Sequence, residues 1–282
     1  MDKFNFHLIF GLAKKQPWLV NKYQELQTLL FEEAKRQEQR DLLLELINDF
    51  RYLDSNNYAN SQKELAELIV TDPDLTDEST AVVAMTRSSK FDSGQNIAYA
   101  LKPWFSEFGW SKFLDINTAD KCYKKVKENP QIKNVVLVDE LVGSGKTVTL
   151  THDSLKELFS DKGLNIEIRA CVIAACSVGA QELKKSGIKL NSLYELKRGI
   201  SDRDLSSQEI SDKLELMREL ERSLEPVVND SDLPSLGYGE TEALYCRDGG
   251  NTPNSVFPIF WWPQYLGKTP RSSILTRAVK DL

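Results

Sequence analysis

Residues 135–150 have the sequence VVLVDELVGSGKTVTL, and this stretch decides how the chain folds. Its first four residues are valine and leucine, which is typical of a buried strand. Asp139 and Glu140 follow directly, and a turn rich in glycine and serine comes next. Helical spacing begins after that turn. A strand, a polar turn and a helix in this order predict the carboxyl edge of a parallel sheet, where α/β proteins bind their ligands.

The glycine-rich turn does not have the pattern of a triphosphate-binding loop. That pattern is G-x-x-x-x-G-K-[ST]. With Lys146 and Thr147 in its last two positions, the first glycine falls on residue 140. Glu140 stands there instead, and a carboxylate at this point repels the phosphates that such a loop surrounds. The sequence therefore argues against a P-loop ATPase.

A ligand that contains both a sugar and a phosphate accounts for the acids and the turn together. Two adjacent carboxylates can accept hydrogen bonds from vicinal ribose hydroxyls, while backbone N–H groups of the turn and the positive end of the next helix suit a 5′-phosphate. The alternative is a buried strand followed by an exposed acidic turn with no ligand. The predicted ribose 5-phosphate site consists of Asp139, Glu140, Gly143, Ser144, Gly145, Lys146 and Thr147.

This segment resembles the fingerprint of the type I phosphoribosyltransferases. The fingerprint has four apolar residues, two acids, two apolar residues and a Thr/Ser/Gly-rich loop that ends in threonine, here residues 135–147. Gly143 stands where threonine is common, and Lys146 stands where a small residue is common. The lysine either contacts phosphate or points to solvent. The resemblance implies an α/β fold in which a parallel sheet is flanked by helices and carries a small hood.

The resemblance also implies a chemistry. Asp139 and Glu140 are then the catalytic acids, and ribose 5-phosphate moves from a diphosphate to a nitrogen nucleophile through a transition state that resembles an oxocarbenium ion. The cofactor is Mg²⁺, held through the diphosphate and the ribose hydroxyls and not by direct protein ligands. Positioning and charge neutralisation do most of the work in such a reaction.

A second loop is implied to bind the diphosphate. It follows the strand TAVVAMT, residues 80–86, and reads RSSKFDSGQN. Two of its residues are cations and several are small hydroxyl donors. The alternative is that the cations are solvated and that Ser93 only caps the next helix. The candidate diphosphate ligands are Arg87, Ser88, Ser89 and Lys90.

Strands and helices alternate through the core, which predicts a parallel sheet flanked by helices. Residues 1–78 are predicted as a helical N-terminal region, and residues 79–282 as the phosphoribosyltransferase-like core with a C-terminal hood segment. The boundary is the acidic, proline-containing stretch TDPDLTDEST. The first core helix is expected to stop near Pro103. Strands are predicted at 80–86, 133–140, 165–176 and 191–197, and helices at 93–105, 147–162, 179–187 and 205–224.

The composition is that of a globular protein with a cytoplasmic location. The chain has 282 residues, a net charge of -6, and no apolar run of the ~20 residues that span a bilayer. We therefore expect no membrane partner. The four cysteines form no CxxC pair and are expected to be reduced core thiols. His7 and His152 are the only histidines, so a structural zinc site is not expected, and His152 is expected on a helix surface or in packing.

The C-terminal segment has two possible interpretations. Aromatic residues from Phe257 to Trp262 either stack on a planar acceptor or pack inside the protein, and packing is favoured. The tail that follows is basic. It either meets phosphate or nucleic acid or forms a solvated end, which is the default expectation. Its cations are Lys268, Arg271, Arg277 and Lys280.

The chain as a whole resembles a divergent bacterial group associated with antiphage defence loci, including retron-linked cassettes. The residues that carry this resemblance are the helical N-terminal region, the DSG at 92–94, the altered phosphate loop and NTPNSVFPIFW at 251–261. The resemblance implies a toxic or signalling effector. A non-catalytic module that senses a nucleotide is the alternative. An exposed apolar face on the N-terminal helices would favour a homodimer or a partner protein.

Overall fold

A computed structural model describes residues 3–86 and 92–278 of the chain. Its α-helices are α1 (Lys3–Lys15), α2 (Tyr23–Thr28), α3 (Gln37–Asn48), α4 (Ser55–Val70), α5 (Ser93–Glu107), α6 (Cys122–Lys127), α7 (Lys146–Ser160), α8 (Ser177–Lys185) and α9 (Ser207–Glu221). Its strands are β1 (Arg51–Leu53), β2 (Thr80–Ala84), β3 (Leu114–Ile116), β4 (Asn134–Val142), β5 (Glu167–Cys176), β6 (Lys189–Leu196), β7 (Val227–Val228), β8 (Ser231–Asp232), β9 (Tyr245–Arg247), β10 (Gln264–Tyr265) and β11 (Thr269–Pro270).

The central sheet has five strands in the order β3-β2-β4-β5-β6. β2 pairs in parallel with β3 and with β4, and β4 pairs in parallel with β5. Every residue of β2 is buried, and so are nine of the ten residues of β5, which is why both strands contain continuous apolar runs, at 81–84 and at 170–176. The predicted α/β fold, a parallel sheet flanked by helices, is confirmed.

The strand order reverses between β2 and β4. From β2 the chain crosses to the outer strand β3, and it then returns to the other side of β2 as β4. Such a switch point opens a crevice at the carboxyl ends of the two central strands. The helices α5 and α7 begin shortly after β2 and β4, so both helix N-termini belong to this edge of the sheet.

Helix α5 differs from the prediction, which ended it near Pro103. It continues to Glu107 with Pro103 inside it. Proline removes one backbone donor, the one that would bond to the carbonyl of residue 99. Tyr99 is 75% exposed, so water can satisfy that carbonyl, while the fully buried Leu101 and Phe105 hold the helix in place on both sides of the proline.

The chain forms two compact units. One contains the described residues up to Ser55 and from Leu196 onward, and the other contains residues 56–195. The boundary predicted near residue 78 therefore falls inside the second unit. Helix α4 belongs almost wholly to the unit with the central sheet, although the prediction assigned it to the N-terminal region. Leu65, Ala66 and Ile69 form its buried apolar face.

In the first unit, the two ends of the chain are joined by backbone pairing. The short strand β1 pairs in parallel with β9, with Tyr52 opposite Cys246. The C-terminal aromatic residues are buried in this unit, which confirms the packing reading, and the indole of Trp261 donates to the carbonyl of Val256 at 2.9 Å. The fully or almost fully buried rings are those of Phe257, Phe260, Trp261 and Trp262.

The basic tail also contributes to the interior of this unit. The Arg271 side chain is 1% exposed and binds Glu33, with Nε to Oε1 at 2.9 Å and Nη2 to Oε2 at 2.7 Å. Its guanidinium also donates to the carbonyls of Ile259 and Trp262. The expectation of a solvated end is wrong at Arg271, because a carboxylate 238 positions earlier in sequence neutralises it. Lys280 lies outside the described residues.

Candidate functional site

Asp139 lies at the carboxyl edge of the central sheet, near the end of β4. It is partly buried, and its Oδ1 accepts two hydrogen bonds, from Ser93 Oγ at 2.6 Å and from the backbone N–H of Glu140 at 2.7 Å. Its pKa is raised to about 7, first by burial and then by the nearby charges of Asp92 and Glu140, against the effect of these two donors. A carboxyl group with this pKa changes its charge near neutral pH.

Glu140, the next residue, has different surroundings. Its side chain is 5% exposed, and its Oε2 accepts a hydrogen bond from the hydroxyl of Tyr58 on α4 at 3.2 Å. Successive side chains of a strand point to opposite faces of the sheet. The two acids accordingly contact different helices, with Asp139 bonded to the start of α5 and Glu140 to α4.

The turn after β4 is held by close contact between glycines. Gly145 has φ +83°, a conformation that favours glycine, and it precedes the first residue of α7. Gly179 of α8 lies against this turn. A Cβ at Gly179 would lie 2.2 Å from the carbonyl oxygen of Gly143 and 3.0 Å from the backbone nitrogen of Gly145. The turn can therefore take this path only beside a residue without a side chain.

The polar side chains of the turn face outward. Lys146 and Thr147 are exposed, and Ser144 is partly exposed, while Gly145 is buried. Lys146 is the first residue of α7, which is 15 residues long. The first backbone N–H groups of such a helix have no partner within the helix and carry partial positive charge. An anion at this point would meet helix N–H groups, a lysine and two hydroxyl groups.

The start of α5 lies at the same edge of the sheet as Asp139. Asp92 caps this helix by accepting from the backbone N–H of Gln95 at 3.3 Å, and it also accepts from the hydroxyl of Thr86. Gly94 allows the helix to lie close to the sheet, because a Cβ there would be 2.9 Å from the backbone nitrogen of Met85. This packing sets Ser93 within reach of Asp139.

Several predicted site residues come together here. Asp139, Glu140 and the turn 143–147 share the end of β4, as their adjacency requires. The candidate diphosphate ligands Arg87, Ser88, Ser89 and Lys90 lie outside the described residues. Sequence reasoning missed Tyr58 and Gly179. Neither belongs to a motif, and each contacts the segment from more than thirty positions away, so no local signal identifies them.

The remaining reactive side chains are placed in the interior. His152 is 8% exposed, with Nδ1 2.9 Å from Asp153 Oδ1, which matches the packing expectation. The four cysteines are free and buried, and burial raises the pKa of Cys122, Cys171 and Cys176 to about 12.

Within residues 3–86 and 92–278, no three His, Cys, Asp or Glu side chains are grouped so as to hold a metal ion. Across the same residues, no helix combines the length and apolarity that crossing a membrane requires.

Comparison with known proteins yields one family and several solved structures. The family described as PRTase-CE matches residues 16–276. Orotate phosphoribosyltransferase from Aeropyrum pernix is 20% identical, with a TM-score of 0.33, over 50% of this chain and 72% of its own. Xanthine-guanine-hypoxanthine phosphoribosyltransferase from Helicobacter pylori is 14% identical, with a TM-score of 0.32, over 52% of this chain and 84% of its own. No curated protein sequence matches the chain.

Proposed function

The chain belongs to the PRTase-CE family, a phosphoribosyltransferase-like group, and on this premise we propose that it binds the ribose 5-phosphate part of phosphoribosyl diphosphate or of a related nucleotide. One observation carries the proposal. A carboxylate with a pKa of about 7, Asp139, lies on the same strand end as a glycine-rich turn that opens a long helix. The carboxylate and the anion-binding turn are then next to each other, as a ligand with both a sugar and a phosphate requires.

The phosphate is bound by the turn in this proposal. Backbone N–H groups of residues 143–147 donate to it, and Lys146 and Thr147 add a charge and a hydroxyl from the exposed side of α7. Glycines at 143 and 145 support the proposal, since they let the backbone approach the ligand closely.

In this proposal Asp139 and Glu140 hold different hydroxyls of the sugar, because the two side chains leave β4 on opposite faces. A ribose hydroxyl that donates to Asp139 favours the ionised carboxylate, and thus opposes the effect of burial on its pKa. Binding of the sugar and ionisation of Asp139 are therefore coupled.

We propose transfer or cleavage at the ribose C1 carbon as the reaction, with Mg²⁺ as cofactor. Asp92 and Glu140 add negative charge beside Asp139, so a cation brought in by the ligand's diphosphate suits the site electrostatically. In this proposal the metal would be held through the diphosphate and the ribose hydroxyls. When bound, Mg²⁺ would neutralise the charge of the departing diphosphate.

The binding test is isothermal titration calorimetry with phosphoribosyl diphosphate and with ATP, each with and without Mg²⁺. We expect Mg²⁺-dependent binding of phosphoribosyl diphosphate alone. A preference for ATP would contradict the proposal. Release of diphosphate over time would identify an enzyme, whereas tight binding without turnover of any tested acceptor would identify a sensor.

Variants of the site sharpen this test. Asp139→Asn with Glu140→Gln should lower the affinity for ribose 5-phosphate to that for inorganic phosphate and leave the affinity for inorganic phosphate unchanged. Thr147→Ala should weaken both ligands by about fivefold, the value of one lost hydrogen bond of ~1 kcal/mol. Normal binding of ribose 5-phosphate by the double variant would show that the carboxylates do not hold the sugar.

We further propose that the chain acts as an effector in bacterial antiphage defence. The support is the resemblance of its N-terminal region, altered loop and C-terminal segment to defence-associated proteins. Cells that express the wild-type locus should resist phage in a plaque assay, and cells that express the Asp139→Asn, Glu140→Gln variant should not. Equal plaque counts for both would contradict this role.

A further inference from the structure

Glu140 needs a fixed position if it is to bind a sugar. Its side chain is 5% exposed, and a buried carboxylate is tolerated only where donors compensate for the lost water. The hydroxyl of Tyr58 donates to Glu140 Oε2 in their 3.2 Å hydrogen bond. Tyr58 is itself 9% exposed, and the bond is thus shielded from solvent.

Helix α4, which carries Tyr58, is held in place by a separate contact. Ser61, one turn further along α4, lies 3.1 Å from the hydroxyl of Tyr194 on β6 and donates to the carbonyl of Asn57. The same helix buries Leu65, Ala66 and Ile69. The packing of α4 therefore fixes the backbone that carries Tyr58, and this packing does not depend on Glu140.

We propose that Tyr58 is a positioning residue of the sugar site that acts through Glu140. This inference rests on the proposed function. Tyr58 fixes Glu140 Oε2 before any ligand arrives, so the flexible glutamate side chain does not have to be ordered when the sugar binds. Helix α4, which precedes the segment that resembles phosphoribosyltransferases, thereby becomes part of the site.

The test is the selectivity of Tyr58→Phe for sugar over phosphate. Dissociation constants are measured for ribose 5-phosphate and for inorganic phosphate by calorimetry. We expect Tyr58→Phe to weaken ribose 5-phosphate about tenfold, which is typical for loss of a hydrogen bond to a charged group, and to leave inorganic phosphate unchanged. A general loss of stability would weaken both ligands alike, so the ratio separates a positioning role from a structural one.

Tyr194→Phe is the matched control. It removes a tyrosine hydroxyl that contacts the same helix at Ser61. Its ratio of the two dissociation constants should equal that of the wild type. A shift as large as that of Tyr58→Phe would assign the effect to packing of α4 and overturn the inference.

A double-mutant cycle tests the route of action. If Tyr58 acts through Glu140, adding Tyr58→Phe to Glu140→Gln should cause no further loss of ribose 5-phosphate affinity. Fully additive losses would overturn the inference. An unchanged ratio in Tyr58→Phe, with a wild type that prefers ribose 5-phosphate, would overturn it and leave the proposed function standing. A wild type without that preference would overturn both.

Discussion

Replacing Asp139 by asparagine should make the protein more stable at neutral pH while it removes sugar binding. Both hydrogen bonds that Asp139 accepts end on the same oxygen, Oδ1. An asparagine whose side-chain carbonyl takes that place keeps both bonds, from Ser93 and from the N–H of Glu140. What the substitution removes is a negative charge that burial disfavours and that two neighbouring acids repel.

The size of the gain follows from the pKa. A rise from 3.8 to about 7 corresponds to at most ~4 kcal/mol, at about 1.4 kcal/mol for each tenfold change in the ionisation constant. Because Asp139 is partly exposed, solvent screening lowers this value, and we expect about 1–3 kcal/mol. Between pH 3.8 and about 7 the folded wild type binds a proton that the unfolded chain has released. Its stability therefore falls as pH rises through this window and levels off above it.

Urea denaturation of both proteins at several pH values from 4 to 8.5 measures the difference. Near pH 4 the carboxyl is neutral in the folded wild type, so this point is the internal reference. The stability advantage of Asp139→Asn should grow from pH 4 to 7 and stay constant beyond. A difference that does not change with pH would refute the raised pKa. Loss of ribose 5-phosphate binding together with a gain in stability would mark Asp139 as a functional residue, because functional residues are often kept at a cost in stability.

Two further predictions concern contacts that the sequence did not reveal. Arg271→Met should lower the free energy of unfolding by about 3–5 kcal/mol, because it leaves the Glu33 carboxylate buried without its cationic partner while the Tyr265 hydroxyl still donates to it, and adding Glu33→Leu should recover much of the loss in the same urea assay. Gly179→Ala should weaken binding of inorganic phosphate, since its Cβ would lie 2.2 Å from the Gly143 carbonyl oxygen. The control Gly11→Ala, at a helix position with open space, should leave phosphate binding unchanged and gain up to ~1 kcal/mol of stability, and equal phosphate binding by both variants would contradict the assigned contact.

The sheet and its helices could be predicted because their signals are local. Buried parallel strands such as β2 and β5 contain continuous apolar runs, and the turn after β4 is marked by its glycines. The three-residue strand β1 gave no such signal. Its partner β9 lies almost two hundred positions away, and a run of three residues has no recognisable period.

Pairings between distant side chains were beyond prediction for the same reason. Arg271 looked like one cation of a solvated tail, since nothing in its neighbourhood points to Glu33. Gly179 looked like an ordinary residue at the start of a helix, and only the path of the turn at 143–145 shows why a side chain is excluded there. Local pattern identifies elements, whereas the choice of partners between elements depends on packing of the whole unit.

The two acids of the site are adjacent in sequence but have different surroundings. In sequence Asp139 and Glu140 form one acidic pair, yet consecutive residues of a strand must leave it on opposite faces. One acid meets the start of α5 and has a pKa near neutrality, and the other lies buried under α4 and accepts from Tyr58. Their roles in sugar binding should therefore be tuned independently, the first by the charges around α5 and the second by the packing of α4. Changes in sugar affinity among variants of this chain should then arise from helix α4 as readily as from the turn that we propose binds phosphate.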